Sequence, residues 1–222
     1  MHHSATTDLT ATTFEAVLFD NDGTLTDSRG AVVRAWTAWA RHHEIPLTRF
    51  GDFHGVPSRG IVARVAPHLD VETATADIDR RELADAEGVV ALPGAREALA
   101  AVGARAAIVT SAGRDLAVLR LDAAGLTPPA TVVTADDITR GKPDPQPFLL
   151  GARMLGVDPA RCLVVEDAPA GLQAGRAAGA ATLAVTTTSE LHELRGLADA
   201  VVTDLSQVTF RLVDGGVRLR IA

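Results

Sequence analysis

The chain has 222 residues, 47% of them hydrophobic, with 28 acidic against 21 basic side chains and a net charge of −7. That length supports one large core, or a core with a small insertion, and an acidic balance without a basic stripe argues against a nucleic-acid surface. A single cysteine, Cys162, excludes an intrachain disulfide, and the sequence has neither a bilayer-length apolar run nor a basic-then-apolar leader, so a soluble cytoplasmic protein with no membrane partner is expected.

Residues 1–13 are polar and Thr-rich, and His2-His3 do not make a metal site by themselves. Val17-Leu18-Phe19 is a short apolar run that reads as a buried strand, and it ends in Asp20-Asn21-Asp22-Gly23-Thr24. Residues 31–42 have helical periodicity, with Trp36 and Trp39 on one face. Pro46, Gly51, Gly55 and Pro57 break the chain before two further helices, 60–66 and 71–87. Past Leu92-Pro93-Gly94 a helix covers 95–102, and strands then alternate with helices. The expected strands are 106–109, 131–133, 163–165, 182–185 and 200–202. The expected helices are 114–124, 147–155, 171–178 and a short one opened by Ser189. Residues 208–221 alternate around Asp214-Gly215-Gly216, a hairpin pattern. Repeated βα units predict a parallel sheet with helices on both faces. The stretch 31–91 interrupts that alternation and reads as an inserted helical cap. The core would then be 14–30 and 92–222.

Three strands end in polar groups. Asp20 and Asp22 stand two apart where the chain turns at Gly23, so both carboxylates can face one small volume. Asp-Asn-Asp-Gly is also ordinary turn composition. A calcium loop fails on spacing, because Leu25 holds its glycine position and Ala31 its glutamate position. Thr110-Ser111 follow the 106–109 strand, where a simple helix cap is the plain alternative. Glu166-Asp167 follow the 163–165 strand, with the same alternative. Lys142 lies in Gly141-Lys142-Pro143-Asp144-Pro145, which is not a Walker loop because Pro143 replaces the hydroxyl residue. Gly171, Gly175 and Gly179 recur every four residues, a spacing suited to close packing of a helix on the sheet. Carboxylates, a hydroxyl and a lysine at one sheet edge suit metal-assisted phosphoryl transfer.

The four segments Asp20-Asn21-Asp22-Gly23-Thr24, Thr110, Lys142 and Glu166-Asp167 occur in the order of the four motifs of the haloacid dehalogenase-like hydrolases, which the sequence resembles over nearly its whole length. The insert matches the subgroup whose cap lies between the first two motifs. His54-Gly55-Val56, Thr110-Ser111-Ala112-Gly113-Arg114-Asp115 and Glu166-Asp167-Ala168-Pro169-Ala170-Gly171 resemble its sugar- and polyol-phosphate phosphatases, of the glycerol-phosphate and 2-deoxyglucose-6-phosphate type. The resemblance implies a Rossmann-like doubly wound α/β sheet with a helical cap. It also implies a Mg²⁺-dependent phosphatase acting on a small sugar or polyol phosphate. Asp20 would be the nucleophile, forming an aspartyl-phosphate. Asp22 would protonate the leaving alcohol and then activate water. Asp20, the Asp22 backbone carbonyl and Asp167 would hold Mg²⁺. Thr110 and Lys142 would bind the phosphoryl oxygens, helped by Ser111. Glu166 would orient Lys142 or a metal-bound water. His54, Ser58, Arg59 and Arg114 are the candidates for contacts with the leaving group. Relatives often carry an arginine where Pro57 stands.

The competing readings are a β-phosphoglucomutase-like mutase and a non-catalytic phospho-ligand binder. The mutases have a histidine where this chain has Val32 and a lysine where it has Gly113. Intact Asp20, Asp22, Lys142 and Asp167 speak against a mere binder, and a dehalogenase has no need of an acid at Asp22. No long exposed apolar stripe is evident, so a monomer is expected.

Overall fold

The computed structural model describes residues 7–51 and 56–222. In chain order its elements begin with strand β1 (Ala16–Phe19), the two-residue β2 (Thr26–Asp27), and helices α1 (Arg29–His42), α2 (Ser58–Val65) and α3 (Val71–Leu83). Next come β3 (Val90–Ala91), α4 (Ala95–Val102), β4 (Ala106–Val109), α5 (Arg114–Ala123), β5 (Thr131–Val133) and α6 (Gln146–Leu155). The chain ends with β6 (Cys162–Glu166), α7 (Pro169–Ala177), β7 (Ala181–Val185), α8 (Leu191–Leu194), β8 (Ala200–Val202), β9 (Val208–Val213) and β10 (Gly216–Ile221).

Among the described residues six strands form one parallel sheet in the order β5-β4-β1-β6-β7-β8. The order reverses about β1, the strand with the paired aspartates, and the crevice at such a switch point is where open α/β sheets bind ligands. The strands are buried on both faces, as a parallel sheet requires. Alternate residues serve two cores. Val17, Phe19, Ile108, Leu163 and Val165 face one, with Leu99 of α4, Leu121 of α5 and the β9–β10 hairpin. Leu18, Ala107, Val109 and Val164 face the other, with Phe148 and Ala152 of α6 and Ala174 of α7. Phe210 of the hairpin meets Phe19 edge-on at 5.9 Å. The chain is thus a doubly wound α/β protein. Cys162 is buried in the second core, and burial pushes its thiol up to about 12, so it behaves as a small hydrophobe.

Helices α1, α2 and α3 pack on one another around their own apolar cluster, which includes Trp39, Val62, Val65 and Ile78. Trp39 is fully buried and its Nε1 donates to the Ala74 carbonyl at 2.9 Å. Strands β2 and β3 pair antiparallel, Thr26 with Ala91 and Asp27 with Val90. The two segments entering and leaving the helical stretch are therefore tied together, and β3 falls at the end of the 31–91 stretch, where only helices were expected. A two-residue strand has no periodicity to read. Helix α3 stops at Leu83 rather than running to Glu87, because the Asp85 carboxylate accepts the Glu87 N–H and the Arg34 guanidinium instead of leaving the backbone to continue. Helix α1 starts at Arg29, before the expected 31, and Ser28 ahead of it donates its hydroxyl to Asp22 instead of capping the helix. Glu190 rather than Ser189 caps α8, in a reciprocal pair with Glu193. No helix among the described residues is long and apolar enough to cross a membrane.

Candidate active site

The site is built where β1, β4 and β6 end together. Phe19 is in register with Ile108 of β4 and Val165 of β6, so Asp20, Thr110 and Glu166 leave the sheet at one edge. The Asp20 N–H still donates to the Val165 carbonyl at 3.0 Å, after which the chain turns. The Asn21 carbonyl gathers the N–H groups of Leu25 and Thr26 at 2.8 and 2.9 Å. Gly23 sits at φ +90°, a backbone state that favours glycine, and a Cβ there would collide with Asp167 Oδ2. The tight turn therefore also lets Asp167 approach the aspartate loop.

Lys142 is wholly buried and donates to Asp20 Oδ1 at 2.5 Å, Glu166 Oε1 at 2.7 Å and the Val109 carbonyl at 3.0 Å. All three ammonium protons are used on protein oxygens, so in this arrangement Lys142 holds the nucleophile candidate and acts on other anions through its charge. Glu166 Oε2 accepts the N–H groups of Asp167 and Ala168 at 3.0 Å each, at the entrance to α7. A Cβ on Gly171 would overlap Glu166 Oε1. This corrects the reading of the glycine series: Gly175 packs on Val164 and Thr182 of the sheet, but Gly171 makes room for Glu166, and Gly179 follows the helix end at φ +87° with open space around it. Asp167 accepts the hydroxyls of Thr24, at 3.2 Å, and Thr188.

Asp20, Glu166 and Asp167 have carboxylate oxygens within 4.8 Å of one another, all buried. Burial raises the Asp20 carboxyl above its ordinary range, with Lys142 pulling the other way and Glu166 adding to the rise. Burial likewise raises Asp167 strongly, reinforced by Glu166 and Asp20. Burial works against the Lys142 charge too, but Asp20 and Glu166 outweigh it and hold the ammonium above its usual value. Lys142 therefore stays charged, and ionising Asp20 and Asp167 together is disfavoured unless a further cation is present. When all three carboxylates are ionised, one ammonium leaves two charges uncompensated, in an all-oxygen donor set. A hard divalent ion such as Mg²⁺ fits that deficit and those ligands. A second cluster, His42, His43 and Asp77, does not fit as well, since Asp77 already accepts from Arg80 and Arg81.

Asp22 faces the cavity beside this cluster. Its Oδ1 accepts from Ser28 Oγ at 2.7 Å and from Arg120 Nη1 at 2.9 Å. Its Oδ2 accepts a longer bond of 3.3 Å from Asn21 Nδ2 and lies 3.5 Å from Thr110 Oγ1. Thr110 is buried, and its Oγ1 accepts the Ala112 N–H at 3.1 Å.

Above these groups is a cavity of about 930 Å³ whose floor is Asp20, Asp22, Thr110 and Lys142 and whose opposite wall comes from α1, α2 and α3. Ser111, Arg114, Ser58 and Arg59 all line it. Ser58 donates to Asp79 at 2.8 Å, Arg59 pairs with Glu72, and Arg114 Nη2 pairs with Asp137 at 2.7 Å. His54 lies outside the described residues. The sequence reading missed Arg120, Glu82, Ser28, Thr188 and Asp79. Two of them carried a signal. Arg120 shares an inward face with Leu116, Ala117 and Leu121, and Glu82 follows Ala74 and Ile78 at four-residue steps. A charge at an apolar position of a helix demands a buried partner.

Known proteins share this arrangement of sequence and fold. A family model described as haloacid dehalogenase-like hydrolase matches residues 14–179. Hexitol phosphatase A of Escherichia coli (strain K12) is 40% identical over 199 residues, covering 86% of this chain and 92% of that protein. Glycerol-1-phosphate phosphohydrolase 2 of Saccharomyces cerevisiae is 32% identical over 199 residues, covering 81% of this chain and 78% of that protein. A solved hydrolase from Pseudomonas syringae superposes with a TM-score of 0.77 at 30% identity, over 86% of this chain and 94% of that one.

Proposed function

The chain belongs to the haloacid dehalogenase-like hydrolases, and we propose that it is a phosphatase hydrolysing a small sugar or polyol phosphate monoester through an aspartyl-phosphate at Asp20. The observation that carries this reading is the buried Asp20–Lys142–Glu166–Asp167 cluster, two carboxylates in excess, under a cavity that also exposes Asp22. The likeness to hexitol phosphatase A and the glycerol-1-phosphate phosphohydrolase supports a polyol or sugar leaving group. Residues 14–30 and 92–222 are the catalytic core in this reading, and 31–91 the cap that meets the leaving group.

The residues divide the work as follows. Lys142 fixes Asp20 by the 2.5 Å bond to Oδ1, leaving Oδ2 for attack on phosphorus. Thr110 Oγ1 donates to a phosphoryl oxygen, and the Lys142 charge offsets the negative charge of the transferring group. Asp22 gives its proton to the leaving alcohol oxygen as the P–O bond breaks. It then takes a proton from the water that cleaves the aspartyl-phosphate, restoring the Asp20 carboxylate. Glu166 keeps Lys142 in place between its own carboxylate and that of Asp20. Asp20, Asp167 and the Asp22 carbonyl would hold Mg²⁺, which supplies charge neutralisation for an incoming phosphate dianion. Ser58, Arg59 and Arg114, together with Asp79, are the polar groups available to sugar hydroxyls, while Trp36 and Phe50 give an apolar wall.

The test is phosphate release from a panel of glycerol, hexitol, hexose and deoxy-sugar phosphates together with phosphoglycolate and β-glucose 1-phosphate. Release from a polyol or sugar subset with Mg²⁺, abolished by EDTA, is the expected outcome. Isomerisation of β-glucose 1-phosphate without release would instead make the protein a mutase, and no turnover of any member would remove the enzyme reading.

A further inference from the structure

Arg120 is a buried cation that the mechanism above leaves unused. Its side chain is 6% exposed, on the inward face of α5. Burying a guanidinium is strongly unfavourable unless its partners compensate, so the identity of those partners is informative. Nη1 donates to Asp22 Oδ1 at 2.9 Å and Nη2 to Glu82 Oε1 at 3.0 Å. Glu82 is itself 8% exposed and stands in the last turn of α3, in the helical layer. One planar fork thus joins the proton carrier, on the loop after β1, to the helices across the cavity.

The bonding at Asp22 is asymmetric. Oδ1 takes both short bonds, from Arg120 and Ser28, whereas Oδ2 has only two long ones, from Asn21 Nδ2 at 3.3 Å and Thr110 Oγ1 at 3.5 Å. Pinning one oxygen of a short, two-torsion side chain sets the direction of the other. A proton carrier needs one oxygen held within about 2.6–3.2 Å of the atom it serves. We propose that Arg120 is a positioning residue that turns Asp22 Oδ2 toward the phosphoryl site, and that Glu82 ties this orientation to the seating of α1–α3. The inference rests on the phosphatase reading and deepens it. Arginine suits the task because its fork meets two carboxylates in one plane, which a lysine cannot do.

The experiment compares leaving groups. kcat/KM covers the steps up to formation of the aspartyl-phosphate. An alkyl phosphate, glycerol or hexitol phosphate, needs the Asp22 proton at that stage, while p-nitrophenyl phosphate expels a stable phenolate and needs it far less. Release of phosphate by the unaltered enzyme from both is the entry condition, and its failure would fall on the phosphatase reading rather than on Arg120. Arg120→Met is expected to lose about 100-fold or more in kcat/KM on the alkyl phosphate, within the range general acid catalysis supplies. The loss on p-nitrophenyl phosphate is expected to be at least about tenfold smaller. Arg120→Lys recovers part of the alkyl activity, and Glu82→Gln, which keeps an acceptor for Nη2, shows the same split in weaker form. Circular dichroism and melting establish that each variant is folded. If Arg120→Met does not fold, the split is read on the other two. Equal losses on both substrates, or no loss on either, in folded variants would overturn the proposal.

Discussion

Charge imbalance at single residues sets the character of the site. Asp20 and Asp167 are raised by burial, and a carboxyl raised in the folded state stabilises the fold fully below its ordinary value near 3.8. That contribution is lost as the pH rises through the raised values. Asp77, Asp85 and Asp137 have lowered values and act in the opposite sense, but only as the pH falls into the acid range. Between about pH 5 and 8 the raised pair therefore dominates this group of carboxylates. In EDTA the melting temperature should fall across that window, and Mg²⁺ should raise it more at pH 8 than at pH 5. A Mg²⁺ effect independent of pH would mean that these carboxylates are not what the ion neutralises. Asp20, Thr110, Lys142 and Asp167 were legible in the sequence because each follows a short apolar run or sits in a proline-punctuated loop. The Arg120 pairings were not, because its partners lie 98 and 38 positions away and only the fold brings them together.

The first turn of α7 shows how an element serves the site. The N–H groups of Asp167 and Ala168 just ahead of it hold Glu166, and Gly171 within it leaves the space the Glu166 side chain fills. Gly171→Ala would force that carboxylate off Lys142. Overpacking of this kind typically costs about 1–3 kcal/mol, and about 1 kcal/mol lowers the melting temperature of a chain this size by about 2–4 °C. Turnover should fall with it, because Lys142 loses one of the two carboxylates that locate it. A variant that melts and turns over like the unaltered protein would show that Glu166 has another place to go. Strand bounds such as 106–109, 131–133 and 200–202, and helix 95–102, follow from apolar runs closed by turn residues and were readable directly. The β2–β3 ribbon was not, since two residues on each side carry no pattern and their pairing joins positions more than sixty apart. The Gly171 spacing was readable but ambiguous: the same four-residue step describes a glycine against a sheet and a glycine against a carboxylate.

At the scale of the molecule, the edge of the parallel sheet and the three-helix layer face each other across one cavity, and the proposed mechanism assigns the phosphoryl chemistry to the sheet. The distribution of tryptophan makes this division measurable. The chain has two tryptophans, both on α1. Trp36 lines the cavity, while Trp39 is fully buried within the helical layer. Intrinsic emission therefore reports on the helices and not on the sheet. In the proposed mechanism Asp20→Asn removes the nucleophile, so an intact substrate can occupy the site without turnover. With Mg²⁺ present, a hexitol or glycerol phosphate should alter the emission of that variant, because the proposed function places its leaving group against the wall that contains Trp36. Inorganic phosphate, which fills only the sheet side, should alter it less. Trp36→Phe in the same background should remove the response while keeping the Trp39 signal. A response that survives in Trp36→Phe would come from Trp39 and move the contact off the Trp36 wall, and calorimetric binding of the polyol phosphate without any emission change would separate the helical layer from substrate recognition. Specificity would then have to come from the core loops that carry Ser111 and Arg114.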